Sequence, residues 1–148
     1  MNKKSENKNI SDLMNSVLKS IILLNKEIES YFGMSSARIL TLLAFTEKKT
    51  MQMSELSDAM SLTTSTSTRM IDGLVKEGFV ERGHDQFDRR MVVVGLTSKG
   101  KKITKDIKEF RDRYFDSIRD RVEDDGKAEM ISSLKILIDA FENFKSKL

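Results

Sequence analysis

The sequence predicts a mainly α chain with one small β-hairpin and long helices at both ends. Three observations predict it. Apolar residues recur at three- and four-residue spacing through most of the chain. Two short β-prone runs, Phe79–Arg82 and Met91–Leu96, flank an eight-residue polar stretch. Turn and stop residues (Gly33, Gly78, Asp124-Asp125-Gly126) separate the helical patterns.

Residues 1–8 are polar, carry three lysines and read as a mobile arm. Ile10, Leu13, Met14, Val17, Leu18, Ile21, Ile22 and Ile28 then make one long amphipathic helix ending near Gly33. Ser35 is placed to cap a second helix through about Phe45, with Ile39, Leu40, Leu42 and Leu43 as core. Lys48-Lys49-Thr50 reads as a loop, and residues 52–60 as a short helix with Leu56 and Met60 inward. After a tight turn at 61–63, Thr63 caps a helix running to about Glu77, with Met70, Ile71, Leu74 and Val75 towards its inner side. Gly78 stops it, and the hairpin follows. Thr97-Ser98 opens another helix, striped by Ile103, Ile107, Phe110, Tyr114, Phe115, Ile118 and Val122. Asp124-Asp125-Gly126 breaks it, and a last helix carries Met130, Leu134, Leu137, Ile138, Phe141 and Phe144. The terminal helices have wide apolar faces that need a partner, either a second copy or each other within one bundle. We read them as dimerisation elements.

Composition excludes several classes. The chain of 148 residues has no cysteine, which removes disulfides, zinc-thiolate sites and thiol redox sensing. A single histidine, His84, makes a histidine metal site untenable. Apolar runs such as Ile21–Leu24 and Met91–Val94 fall far short of the ~20 residues of a membrane span. No apolar signal core follows the first residues, so a cytoplasmic location is expected. No Ser-His-Asp setting, P-loop or dinucleotide fingerprint appears, and no catalytic residue, cofactor or metal site is expected. His84 beside Asp85 reads as an ordinary loop residue.

The charge is unevenly spread. Residues 60–105 hold nine Lys/Arg (Arg69, Lys76, Arg82, Arg89, Arg90, Lys99, Lys101, Lys102, Lys105) against five acids, while the remainder holds 17 basic and 18 acidic residues. Charge alone leaves a solvated face and a polyanion-binding face equally open. The motif within this segment is more specific. Residues 52–77 read as two helices joined by a tight turn, and the second begins Thr63-Thr64-Ser65-Thr66-Ser67-Thr68-Arg69. Such a start is poor helix material by propensity, but it offers hydroxyls and a guanidinium with little bulk, as a helix entering a major groove requires. On that stretch alone a Ser/Thr-rich loop is an equal reading. A basic-tipped hairpin directly after it completes a winged helix-turn-helix. Asp88 is placed to orient the guanidinium of Arg89 or Arg90 by a charge-assisted bond, and such a wing reaches the backbone or minor groove.

From about Ser35 to Gly100 the chain resembles the MarR family of bacterial transcription regulators. The resemblance is carried by Ser54-Glu55-Leu56-Ser57, by Thr68–Arg82, and by Asp88–Gly100, whose acid, basic residues, strand and Leu96-Thr97-x-x-Gly100 match the family's wing signature. It implies a homodimer, a repressor by expectation, binding an inverted repeat in double-stranded DNA. The division it suggests is an arm and dimerisation helix in 1–32, a winged helix-turn-helix in 33–100, and dimerisation helices in 101–148. It implies Thr63, Thr64, Ser65, Thr66, Ser67, Thr68 and Arg69 as the start of the recognition helix. It also implies Asp88, Arg89 and Arg90 as the wing, and Leu74 and Val80 as core. A small amphipathic acid or phenol is the implied effector, with Met14, Tyr31, Phe45 and Phe110 as candidate crevice residues that read equally as core. Missing cysteines and a single histidine argue against the family's thiol and zinc sensors. The other reading is a winged-helix protein-interaction module without specific DNA binding. Three residues depart from the pattern. Gly73 replaces a larger residue, through close backbone approach or a locally soft helix. Ser67 replaces a small apolar residue. Phe87 brings an aromatic to the wing tip, either to pack on the hairpin or to touch the sugar-phosphate edge, with packing the favoured reading.

Overall fold

Met53 to Glu77 folds as expected, into two helices and a turn, and the rest of the first packing unit is built around them. The computed structural model describes residues 3–85 and 87–145. The elements are α1 (Lys3–Phe32), α2 (Ser36–Ala44), β1 (Thr50–Gln52), α3 (Met53–Ala59), α4 (Thr64–Lys76), β2 (Val80–His84), β3 (Val92–Leu96), α5 (Ser98–Arg119) and α6 (Asp124–Lys145). They pack as two units divided after Lys108.

The core of the first unit is Ile28, Ile39, Leu42, Leu56, Ile71, Leu74, Val80, Val94 and Ile107, all buried. Each such side chain contributes about 1.5–3 kcal/mol relative to exposure. Leu24 and Ile28 of α1 and Thr104 and Ile107 of α5 are buried here, so both long helices lend one end to this core. Two carboxylates secure helix starts. Glu29 accepts from the backbone N–H of Ser36, and its pKa is lowered by bonds to the Ser36 side chain and backbone. Glu55 accepts from Lys48 Nζ at 2.7 Å and from the Gln52 N–H at 2.8 Å, and these bonds hold its pKa below the ordinary range.

Several expectations are corrected. α1 begins at Lys3, so residues 3–8 are helix and not an arm. No glycine or proline separates them from Ile10, and helix propagation adds one bond per residue fixed. Leu40 is exposed, whereas Thr41 turns inward beside Leu42 and satisfies its hydroxyl on the Ala37 carbonyl at 2.8 Å. Thr50 is in β1, which pairs antiparallel with β3 and makes the expected hairpin a three-stranded sheet of order β1-β3-β2. Three residues are too few to show a strand period. His84 is the last residue of β2, opposite Val92, and not a loop residue. α5 stops at Arg119, ahead of Val122. Asp124, Asp125 and Gly126 open α6 instead of breaking a helix, because carboxylates are favoured at a helix N-terminus.

In the second unit, Phe115, Ile118, Val122, Met130, Ile131 and Leu134 line an apolar cleft of about 390 Å³. Ile131, Leu134, Ile138 and Phe141 stay exposed on α6. The Phe144 side chain lies outside the described residues.

Close backbone approach does not account for Gly73. A Cβ there would meet only Arg38 Nη2, at 4.0 Å, so no backbone approaches. Gly73→Ala therefore raises stability by about 0.5–1 kcal/mol. A denaturant midpoint that falls instead contradicts this.

Candidate nucleic-acid interface

Why a hydroxyl-rich segment forms a helix is visible at its ends. Thr63 lies at φ −69°, ψ 150° as N-cap, and its Oγ1 accepts from the Thr66 N–H at 3.4 Å. Ahead of it, Ser61 takes the left-handed conformation at φ 51°, turning the chain from α3 into α4. At the far end Gly78 (φ +77°) donates to the Val75 carbonyl and Phe79 to the Leu74 carbonyl, each at 2.9 Å. That double closure needs a residue tolerant of positive φ. Ser67, Ile71 and Leu74 face the core, which turns Ser65, Arg69, Asp72 and Lys76 outward along the opposite face. Asp72 pairs with Arg82 at 2.6 Å and so ties α4 to β2.

The seven expected recognition residues therefore divide. Thr64, Ser65, Thr66 and Arg69 are exposed. Thr63 is exposed as the cap, with Ser65 and Thr66 hydroxyls within 3.2 Å and 2.9 Å of its own. Thr68 is half-buried and donates to the Thr64 carbonyl at 2.8 Å. Ser67 is corrected: at 2% exposure it lies inside, one turn before Ile71, and cannot reach a duplex from there. Among the described residues its Oγ has no hydrogen-bond partner. Ser67→Ala removes that unmet group, raises stability by about 1 kcal/mol and leaves sequence preference on DNA unchanged. A lower thermal midpoint, or a shifted preference in random-site selection, contradicts this.

The described residues of the wing tip are Asp85 and 87–91. Asp85 N–H donates to the Met91 carbonyl at 2.9 Å, and Asp85 Oδ1 accepts from the N–H groups of Phe87 (2.8 Å) and Asp88 (3.1 Å). Asp88 Oδ1 accepts from the backbone N–H of Arg90 at 2.9 Å. The expected bond from Asp88 to a guanidinium is thus corrected: its carboxylate shapes the turn, a local role favoured for Asp. Arg89 and Arg90 are exposed, and among the described residues neither enters an ion pair. Phe87 is 89% exposed, correcting the expectation that it packs on the hairpin.

Residues 33–92 match the model of the MarR family. The HTH-type transcriptional regulator YfiV of Bacillus subtilis is 32% identical over 114 residues, covering 77% of this chain and 71% of YfiV. The chain belongs to the MarR family. It is a transcriptional regulator and not an enzyme. The HTH-type transcriptional repressor YetL of Bacillus subtilis is 31% identical to this MarR chain over 124 residues, covering 80% of it and 72% of YetL. The crystal structure of Streptococcus pneumoniae FabT in complex with DNA matches it in fold with a TM-score of 0.77 at 23% identity, covering 97% of this chain and 99% of FabT. The winged helix-turn-helix expected for a MarR regulator is the fold observed.

The candidate effector residues of this MarR chain are not alike. Phe45 is 5% exposed and belongs to the core as C-cap of α2, which corrects it as a crevice residue. Met14 is half-buried on α1, Tyr31 is exposed with its ring edge-on to Phe32 at 4.9 Å, and Phe110 is half-buried in the second unit. Among the described residues no cluster of three or more His, Cys, Asp or Glu is placed for a metal, and no helix is long and apolar enough to cross a membrane. The sequence marks Ser35 only as a cap and gives no signal for Arg38, since a lone arginine in an apolar helix carries no motif. Both line one hollow with Thr66 and Arg69.

Proposed function

We propose that this MarR regulator is a homodimeric repressor that binds an inverted repeat in double-stranded DNA, with α4 in the major groove and the wing along the backbone or minor groove. One observation carries the reading. The outer row of α4 (Ser65, Arg69 and Lys76, with Asp72 paired to Arg82) and the tip of the wing (Arg89, Arg90) are exposed cationic surfaces of one unit, with no ion pair among the described residues at Arg69, Lys76, Arg89 or Arg90. The DNA complex named for FabT and the repressor names of relatives support it. Asp88 serves as the residue that shapes the wing, and Thr63 as the cap.

The dimer is supported by apolar rows left exposed on each terminal helix: Ile10, Leu13, Val17, Leu18 and Ile21 on α1, and Ile131, Leu134, Ile138 and Phe141 on α6. In this reading residues 1–32 and 101–148 dimerise and 33–100 bind DNA. The recognition helices then stand about 34–36 Å apart on one face of the duplex. A small amphipathic or phenolic effector that releases the DNA rests on the family resemblance, with Met14, Tyr31 and Phe110 as candidates. A regulator of promoters works in the cytoplasm.

The test is a mobility shift of the full chain on its own upstream DNA, across a salt series with competitor, with the mass measured by sedimentation. Saturable, sequence-dependent binding by a dimer supports the proposal. Indifference to sequence favours the protein-interaction module.

A further inference from the structure

Where α2 meets α4, an open hollow of about 360 Å³ is lined by Ser35, Arg38, Thr66, Arg69 and Gly73 among its residues. Thr66, Arg69 and Gly73 share one face of α4 by their spacing, and that face turns towards the start of α2. Among the described residues no acidic one lines the hollow. One turn beyond Gly73, Glu77 pairs with the Arg38 guanidinium. The Arg38 side chain is only 27% exposed, so its direction is set before any ligand arrives. Gly73 keeps the floor open, since a Cβ there would already come to 4.0 Å from Arg38 Nη2 and a longer side chain would fill the space.

We infer that this hollow seats one phosphate of the DNA backbone, held by Arg38 and Arg69 with the Ser35 and Thr66 hydroxyls, and that Glu77 is the counter-ion this phosphate displaces from Arg38. The inference rests on the DNA-binding reading above and adds a contact from α2, outside both the recognition helix and the wing. The chemistry fits the ligand. A guanidinium presents paired N–H donors that match a phosphate, and hydroxyls supply neutral donors beside it. The Glu77 carboxylate occupies Arg38 in the free protein. Binding is therefore an exchange of anions, weaker than capture by an unpaired arginine.

The experiment is an anisotropy titration of the full chain on a duplex recovered by random-site selection, repeated across a salt series. Arg38→Ala lowers affinity about tenfold, as loss of one charge-assisted bond implies. It also reduces the log–log salt slope by about 0.9. The preferred sequence stays the same, because phosphate contacts position without specifying. Glu77→Gln tightens binding severalfold. Gly73→Leu, which keeps the Arg38 charge and fills the hollow, repeats the slope loss without depending on removal of the α2 arginine. A neutral methylphosphonate scanned along the duplex weakens the wild type at one extra position that is silent in Arg38→Ala. Unchanged slopes in Arg38→Ala and Gly73→Leu, with wild-type methylphosphonate sensitivity, overturn the inference while leaving the DNA-binding reading intact. Failure of the wild type to bind any duplex overturns both. Inorganic phosphate at matched ionic strength is the second arm. Competition that Arg38→Ala abolishes, without any methylphosphonate effect, assigns the hollow to a free anion and overturns the backbone contact.

Discussion

Replacing Arg89 and Arg90 together by alanine lowers affinity for duplex DNA at every sequence and flattens its dependence on salt. Both guanidiniums stand exposed on a turn fixed by Asp85 and Asp88, whose carboxylates accept backbone N–H groups and leave the arginines pointing outward unpaired among the described residues. The turn survives the substitution because, among the described residues, none of its hydrogen bonds uses either side chain. If each arginine neutralises one phosphate, the log–log slope falls by about 1.8. Two lost charge-assisted contacts of about 1.5–3 kcal/mol each make the affinity loss on the order of a hundredfold or more. Mobility shifts across a salt series measure both quantities. A double variant with wild-type affinity and slope removes the wing from the interface. Ser65→Ala is the contrasting change: exposed on α4 and outside the hollow beside Arg38, it alters which sequence is preferred more than it alters the slope.

Gly100→Ala has the largest expected effect on stability. Gly100 lies in the first turn of α5, and a Cβ there would stand 1.9 Å from the Phe79 carbonyl oxygen and 2.9 Å from its carbon. Backbone cannot yield as a flexible side-chain end can. The same carbonyl accepts from the Thr97 N–H at 3.1 Å, while Thr97 Oγ1 donates to the Gly78 carbonyl at 2.6 Å and accepts from the Gly100 N–H at 3.0 Å. A methyl group at position 100 therefore pushes α5 off the turn that ends α4. The cost is about 3 kcal/mol, at the upper end of overpacking. For a chain of this size that lowers the thermal midpoint by roughly 6–12 °C. Gly83→Ala, with nothing within 4 Å of the added carbon, is the control and shifts it little. Equal midpoints for the two variants contradict the close approach.

This geometry also explains the Leu96-Thr97-x-x-Gly100 pattern in physical terms. Threonine joins two helix ends through one hydroxyl, and glycine lets the new helix touch the old turn. The sequence displayed the pattern, but the packing supplies its reason. The same division runs through the site. Arg69 on the outer face of α4 followed from periodicity, because residues three and four apart share a helix face. Ser67 sat in the same hydroxyl run and could be told apart only once Ile71 and Leu74 showed which face was covered. Charge alone makes Asp88 a partner for arginine, because charge is what a sequence shows. Its oxygen turned instead to a backbone N–H two residues away, a choice made by loop geometry.

By itself the sequence determined the helix order, the caps at Thr63 and Thr97, the stop at Gly78 and the family. Each is local, resting on side-chain type and spacing within one or two turns of chain. Only the tertiary structure decided the third strand at Thr50–Gln52, the burial of Ser67 and the hollow that Arg38 and Arg69 both line. Those features join residues far apart in the chain, and the energy that places them comes from packing against neighbours that no local pattern records.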